Sequence, residues 1–319
     1  MKLSVCKKDK ATMDVTGCEE YYLGIDLGGT DVKYGIVSRD NLIIVNYKEP
    51  TQTSSEGALL TQLKNICRKM MAEYHVKAVG IGIPGNVSMR TGRVDFSVNL
   101  PFNNTDVEEY LTRALDISVK IAKDANCAAL YEHLAGGGKD FDNMVMITIG
   151  TGIGGGIVIN GKLYISTKED AGEIGHIITH ARGRACGCGQ EGCFEKYASA
   201  GALTQAAKDA ATSAPNSILA KRISENVSAK AVFEALDEGC GIALDVYNNW
   251  IYELAIGIKS LVRIFSPDVI VMSGGVMHRA EKIIPDLMKQ CGNVKIVNSK
   301  GGNAAGIIGA AMLQYRGIK

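Results

Sequence analysis

One histidine, three cysteines and two carboxylates crowd into the stretch Glu173-X2-His176-X9-Cys186-X-Cys188-X4-Cys193-X-Glu195. An imidazole and three thiolates form the ligand set of a closed structural zinc site. Four protein ligands leave no open position, so such a zinc would shape a loop and would not act as a Lewis acid. The plainer alternatives are a buried group of apolar cysteines or a disulfide, although Cys186 and Cys188 are too close in sequence to bridge comfortably. Zinc has no use for Glu173 and Glu195. They are either solvated loop carboxylates or acceptors for hydroxyl groups held beside the loop.

Two glycine-rich turns offer a second kind of chemistry. Asp26-Leu-Gly-Gly-Thr30 combines bare backbone N–H groups, a hydroxyl and a carboxylate. The N–H groups suit phosphate oxygens and the carboxylate suits magnesium, while an ordinary hairpin turn would look the same. Gly150-Thr-Gly-Ile-Gly-Gly-Gly156 contains the spacing GxGxxG. A dinucleotide fingerprint requires a helix directly afterwards. Ile157-Val-Ile159 reads instead as a strand, which leaves a second phosphate-binding hairpin or a flexible turn. The pattern G-x-x-x-x-G-K-[ST] does not occur, which excludes the P-loop class. Asp124 falls at a strand-to-helix junction, where the helix N-terminus favours an ionised carboxylate. Such a carboxylate can accept the proton of an attacking hydroxyl. Aspartate is also a common helix cap, and position alone favours the cap.

The elements around these residues alternate between strands and helices. Strands are expected at Tyr22–Ile25 and Val32–Val37 around the first turn, and at Met144–Ile149 and Ile157–Ile159 around Gly150–Gly156. Further strands are expected at Ala78–Ile83, Ile117–Ile121 and Val269–Met272. Helices are expected over Ala58–Tyr74, Ala125–Leu134, Gly241–Phe265 and Ala304–Leu313. Strand, glycine turn and strand thus occur twice, a weak internal duplication. This is an α/β pattern. Residues 1–20 show no period and read as an N-terminal arm. A small α/β domain is expected over 21–122 plus 302–319, and a large one carrying the metal loop over 123–301.

Composition narrows the class. The chain has 319 residues, enough for two domains, and 46% hydrophobic content can fill their cores. Lys plus Arg is 35 and Asp plus Glu is 34, so no nucleic-acid partner is expected. No apolar run reaches the roughly 18 residues of a membrane span, and no secretory signal is legible, so no membrane partner is expected. Nine cysteines, three of them in one cluster, suit metal binding in a reducing cytoplasm.

Taken together, the motifs resemble the ROK family of sugar kinases and repressors, across roughly residues 22–315. They are Asp26-Leu-Gly-Gly-Thr30, Gly82-Ile-Pro-Gly85, Asn99-Leu-Pro, Asp124-Ala-Asn126, Gly150 to Gly156, Glu173-Ile-Gly-His176, Cys186 to Cys193 and Ala305 to Ala311. The resemblance implies a two-lobed actin/hexokinase-like ATPase fold, ribonuclease H-like in its halves, with a structural zinc loop and a cleft between the lobes. It implies an ATP-dependent kinase acting on the 6-hydroxyl of a hexose. Glucose is the default, and an N-acetylhexosamine or another hexose is the alternative. Asp26, Gly28, Gly29, Thr30, Lys33, Gly150, Thr151 and Gly152 would hold the ATP phosphates and Mg2+. Gly274 and Gly275 would lie against the nucleoside. Asp124 would be the base, and Gly85, Asn99, Lys123, Glu173, His176 and Glu195 would line the sugar. His176 would serve Zn2+ with one ring nitrogen and the sugar with the other, beside Cys186, Cys188 and Cys193. A homodimer is expected from the family. Repressors of the family carry a helix-turn-helix before the first turn. Only 25 residues precede Asp26, so a kinase is expected over a regulator or a non-catalytic sugar sensor. Three departures stand out: Lys123 where many members have Asn, Phe102 where many glucokinases have Trp, and Asn303 where an acidic residue is common.

Overall fold

A computed structural model describes residues 20–165 and 171–315. The expected N-terminal arm, with Cys6 and Cys18, lies outside the described residues, as does the side chain of Asn303. The chain forms two compact units. The first holds the described residues of Met1–Gly136, Lys162–Ala171 and Asn303–Lys319; the second holds Gly137–Gly161 and Gly172–Gly302.

The first unit is built on a five-stranded mixed sheet. Its strands are β1 (Tyr21–Leu27), β2 (Asp31–Ser38), β3 (Ile43–Pro50), β4 (Val76–Ile83) and Ser118–Lys123, which follows the helix Val107–Leu115. The order is β3-β2-β1-β4 and then Ser118–Lys123. β1 and β2 pair antiparallel, with Asp26 opposite Lys33, while β4 runs parallel to β1 and to Ser118–Lys123. Helix α1 (Glu56–Glu73) starts at Ser55, whose hydroxyl accepts the Ala58 N–H. It buries the expected stripe of Leu59, Leu60, Leu63, Ile66, Cys67 and Met70. Strand β3 and a small sheet of Asn86–Ser88, Arg93–Phe96 and Asn103–Thr105 were not legible, because their residues alternate too weakly. Phe102 is a buried core residue.

The C-terminal helix, Ala305–Met312, lies with its backbone directly on this sheet. A Cβ on Gly24 would come within 1.9 Å of the Ile307 carbonyl oxygen, and one on Gly80 within 1.8 Å of that of Ala310. The same helix meets the helix Asp124–Leu134 so closely that a Cβ on Gly309 would lie 1.7 Å from the Cys127 carbonyl oxygen. This packing keeps Asp124–Leu134 in the first unit, so the compact boundary falls at Gly136/Gly137 and not at the expected 122/123.

The second unit repeats the pairing pattern. Met144–Ile149 and Ile153–Ile159 form an antiparallel hairpin, Val269–Ser273 runs parallel beside the first of these, and Ile296–Asn298 runs parallel beyond it. The second strand therefore begins at Ile153, four residues earlier than expected at Ile157. Gly154, Gly155 and Gly156 are strand residues, and the turn is Gly150-Thr151-Gly152. The long helix Gly241–Phe265 ends at Ser266 in the left-handed region, just before Pro267. It fills the core with Tyr247, Trp250, Ile251, Leu254 and Ile258. No helix among the described residues is long and apolar enough to cross a membrane.

Candidate active site

In the first unit, the β1–β2 turn brings its functional groups to the end of the sheet. Lys33 Nζ lies 3.7 Å from Asp26 Oδ2. Burial pushes the Asp26 carboxyl above its ordinary 3.8; Lys33 opposes this and the nearby Asp124 charge adds to it. Gly306 at the start of the C-terminal helix leaves room for this carboxylate, since a Cβ there would sit 2.7 Å from Asp26 Cγ. A buried carboxylate near a second acidic group suits a divalent cation, which offsets both the lost hydration and the repulsion.

Asp124 is the first residue of its helix, and the cap position is Lys123, whose side chain makes no capping bond. The Asp124 carboxylate accepts the Ala125 N–H at 2.7 Å. Asp124 sits one residue inside the helix, on its dipole's positive end, and its carboxylate takes up one of the first-turn N–H groups. Lys123 ends its strand opposite Ile83, two residues before Gly85. Gly85 takes φ +122°, and a side chain there would strike the Phe96 carbonyl oxygen at 2.4 Å. Asn99 lies against the first turn, where a Cβ on Gly29 would come within 2.8 Å of Asn99 Cβ. Asp26, Gly28, Gly29, Thr30, Lys33, Gly85, Asn99 and Asp124 therefore belong to one neighbourhood. Sequence reading missed Thr51, whose hydroxyl donates to the Gly28 carbonyl oxygen at 2.7 Å. A threonine after Pro50 carries no local signal.

In the second unit, Glu173 precedes a single 3-10 turn, Ile174–His176. Gly155 seats this turn, because a Cβ there would strike Ile174 Cδ1 at 2.4 Å. Some of the glycine excess after Ile149 thus serves packing and not phosphate. The ligand atoms of His176, Cys186, Cys188 and Cys193 all lie within 4.8 Å of one another. Cys186 Sγ is 3.6 Å from His176 Nδ1, and Cys188 Sγ is 3.5 Å from Cys193 Sγ. A tetrahedral zinc has S···S edges of about 3.8 Å and S···N edges of about 3.5 Å, given its usual bond lengths. The four residues fit that ion, with Nδ1 as the histidine ligand. Without a cation, three thiolates could not coexist here: burial, then bonds to Cys188 and Cys186, push the Cys193 thiol up to about 12.

The loop is anchored from behind. Phe194 is fully buried against the long helix, where a Cβ on Gly257 would strike its ring at 2.3 Å. Trp250 Nε1 donates to the Ala198 carbonyl oxygen at 2.9 Å. These contacts fix Cys193 and Glu195 on either side of Phe194. Glu195, which zinc would not need, is held by two protein groups. Its Oε2 accepts the Ile153 N–H at 3.3 Å, and its Oε1 accepts from Cys186 Sγ, also at 3.3 Å. Glu195 thus ties the His-Cys cluster to the second glycine turn. The Gly150 carbonyl oxygen accepts the Ala200 N–H at 3.0 Å, which seats the turn on the helix Ala200–Ser213. Gly274, at φ +111°, lies on the Ile149 carbonyl, whereas Gly275 faces open space.

The ROK family model matches residues 22–316. A glucokinase of Streptomyces coelicolor is 31% identical over 306 residues, covering 91% of this chain and 96% of that protein. An N-acetyl-D-glucosamine kinase of Aliivibrio fischeri is 29% identical over 318 residues, covering 92% and 99%. Among solved structures, a ROK family glucokinase from Streptomyces griseus in complex with glucose and AMPPNP has a TM-score of 0.80 at 28% identity, covering 93% of this chain and all of that one. The α/β fold is that of the actin/hexokinase-like sugar kinases. This chain, which carries the two glycine turns, Asp124 and the His-Cys cluster, belongs to the ROK family.

Proposed function

We propose that this chain is an ATP-dependent hexose kinase acting on the 6-hydroxyl, with glucose as its first substrate. The observation that carries the proposal is Asp124: an ionisable carboxylate at a helix N-terminus, electrostatically coupled to Asp26 below the first glycine turn. The Asp124 carboxylate accepts the proton of the 6-hydroxyl. The hydroxyl oxygen forms a bond to the γ-phosphorus as the bond from that phosphorus to the β–γ bridging oxygen breaks, and ADP leaves with that electron pair. Asp26, Gly28, Gly29, Thr30 and Lys33 hold phosphates on one unit, Gly150, Thr151 and Gly152 on the other, and Gly274 and Gly275 meet the nucleoside. Asp26 would hold Mg2+, which supplies charge neutralisation at the phosphates.

Gly85, Asn99, Lys123, Glu173, His176 and Glu195 bind the sugar. His176, Cys186, Cys188 and Cys193 would hold Zn2+, which would fix the orientation of the imidazole. An N-acetylhexosamine is the second substrate class, because an N-acetyl-D-glucosamine kinase is nearly as similar as the glucokinases. We further propose a homodimer in a reducing cytoplasm.

The test is Asp124→Asn with a coupled ADP-release assay over hexoses and N-acetylhexosamines. Turnover should fall by about 10²–10⁴-fold, the usual worth of a general base, while sugar binding stays measurable. Near-normal turnover would sink the assignment.

A further inference from the structure

Several backbone groups of the first glycine turn are already engaged. The Gly28 N–H donates to the Asp31 carbonyl oxygen at 2.9 Å. The Gly28 carbonyl oxygen accepts the Thr51 hydroxyl at 2.7 Å, and the Thr30 carbonyl oxygen accepts the Thr51 N–H at 2.9 Å. Among the described residues, the N–H groups of Gly29 and Thr30 meet no acceptor. The Gly28 carbonyl and the Gly29 N–H belong to one planar trans peptide and point in opposite directions. Tying down the carbonyl therefore aims the N–H. It also turns a partly negative oxygen away from the face that an anion would approach.

Thr51 is itself held from both sides. Gln62 of α1 donates through Nε2 to the Pro50 carbonyl oxygen at 2.8 Å and to Glu49 Oε1 at 2.9 Å. Its Oε1 accepts the Gln52 N–H at 2.8 Å. One amide thus clamps the chain on each side of Thr51.

We propose that Thr51, clamped by Gln62, is a positioning residue for the nucleotide: its hydroxyl fixes the Gly28–Gly29 peptide so that an N–H, and no carbonyl, faces a phosphate oxygen. This rests on the reading of the first turn as a phosphate site. Glycine at 28 and 29 makes the fixing useful, because these residues have no side chains of their own to restrict the peptide plane between them.

The test compares Thr51→Val, Thr51→Ser and Gly29→Ala in the full-length protein. The readouts are calorimetric affinity for a non-hydrolysable MgATP analogue, steady-state kinetics in ATP and hexose, and thermal melting. Thr51→Val keeps the shape and removes the donor. It should raise the analogue Kd and the ATP KM by about five- to tenfold, while hexose KM stays within about twofold, as befits one lost hydrogen bond. Thr51→Ser should restore the affinity. A valine variant with normal nucleotide affinity, beside a weakened Gly29→Ala, overturns the positioning role alone. Normal affinity in both overturns the phosphate reading of the turn as well. A serine variant as weak as the valine variant overturns the role of the hydroxyl.

Discussion

Gly152→Ala separates the role of Glu195 from the stability of the loop that carries it. The new Cβ would lie 2.4 Å from Glu195 Oε2, against an ordinary contact of 3.4–4 Å. The carboxylate must therefore retreat by about 1 Å, which is easy for the end of a flexible side chain. The Ile153 N–H bond to Oε2 is already 3.3 Å long and would be lost. A hydrogen bond to a charged group is worth about 1.5–3 kcal/mol, and water can replace part of it at this half-buried site. The stability cost is therefore about 1 kcal/mol. If Glu195 binds the sugar, the same displacement removes a comparable bond to substrate, and hexose kcat/KM should fall by about 10–100-fold. The assay is ADP release across hexose concentrations, with thermal melting alongside. Gly150→Ala is the matched control, because its Cβ meets nothing within 4 Å, so hexose kinetics should change less there. Hexose kcat/KM within about twofold of wild type in Gly152→Ala would refute a substrate role for Glu195, since a displacement of this size cannot leave a real contact intact.

The remaining predictions address metal, packing and pH. Elemental analysis should find one zinc per chain; Cys188→Ser should lose both the zinc and hexose affinity, and full hexose binding without zinc would break the coupling between them. Gly309→Ala should destabilise the first unit by about 3 kcal/mol or more in denaturant titrations, because its Cβ would sit 1.7 Å from the Cys127 carbonyl oxygen; an unchanged midpoint would contradict the packing. For Asp26, burial raises the folded-state pKa above the ordinary 3.8. Its protonated form thus favours the fold fully below pH 3.8, and that contribution is lost as pH rises through the raised value. Asp26→Asn should therefore be more stable than wild type at neutral pH, with the difference closing as pH falls toward 3.8, and should lose turnover. A variant less stable at neutral pH would reverse that sign.

Much of this protein is legible along the chain because its signals are local. The candidate metal ligands are recognisable since cysteine and histidine at loop spacing have few other uses, and their atoms do gather within 4.8 Å. The two glycine turns are recognisable since strand, glycine and strand form a hairpin from neighbouring residues. The stripe from Leu59 to Met70 declares a helix by its period, and the structure buries it.

Other features depend on residues far apart in sequence, and only the tertiary structure decides them. Gly154 to Gly156 look like more of a turn, but they are strand residues, and Gly155 makes room for the Ile174 side chain. Asp124 reads first as a cap, and only the backbone shows that the cap position is Lys123 and that Asp124 is the first helical residue. Glu195 reads as a spare carboxylate until folding sets it between the Ile153 N–H and the Cys186 thiol. Thr51 has no motif at all, and its meaning comes from a turn over twenty residues away. Composition and spacing determine which chemistry is possible, because side-chain type and local backbone preference act within a few residues. Which group each donor finally meets is set by close packing between distant segments, and that information exists only in the fold.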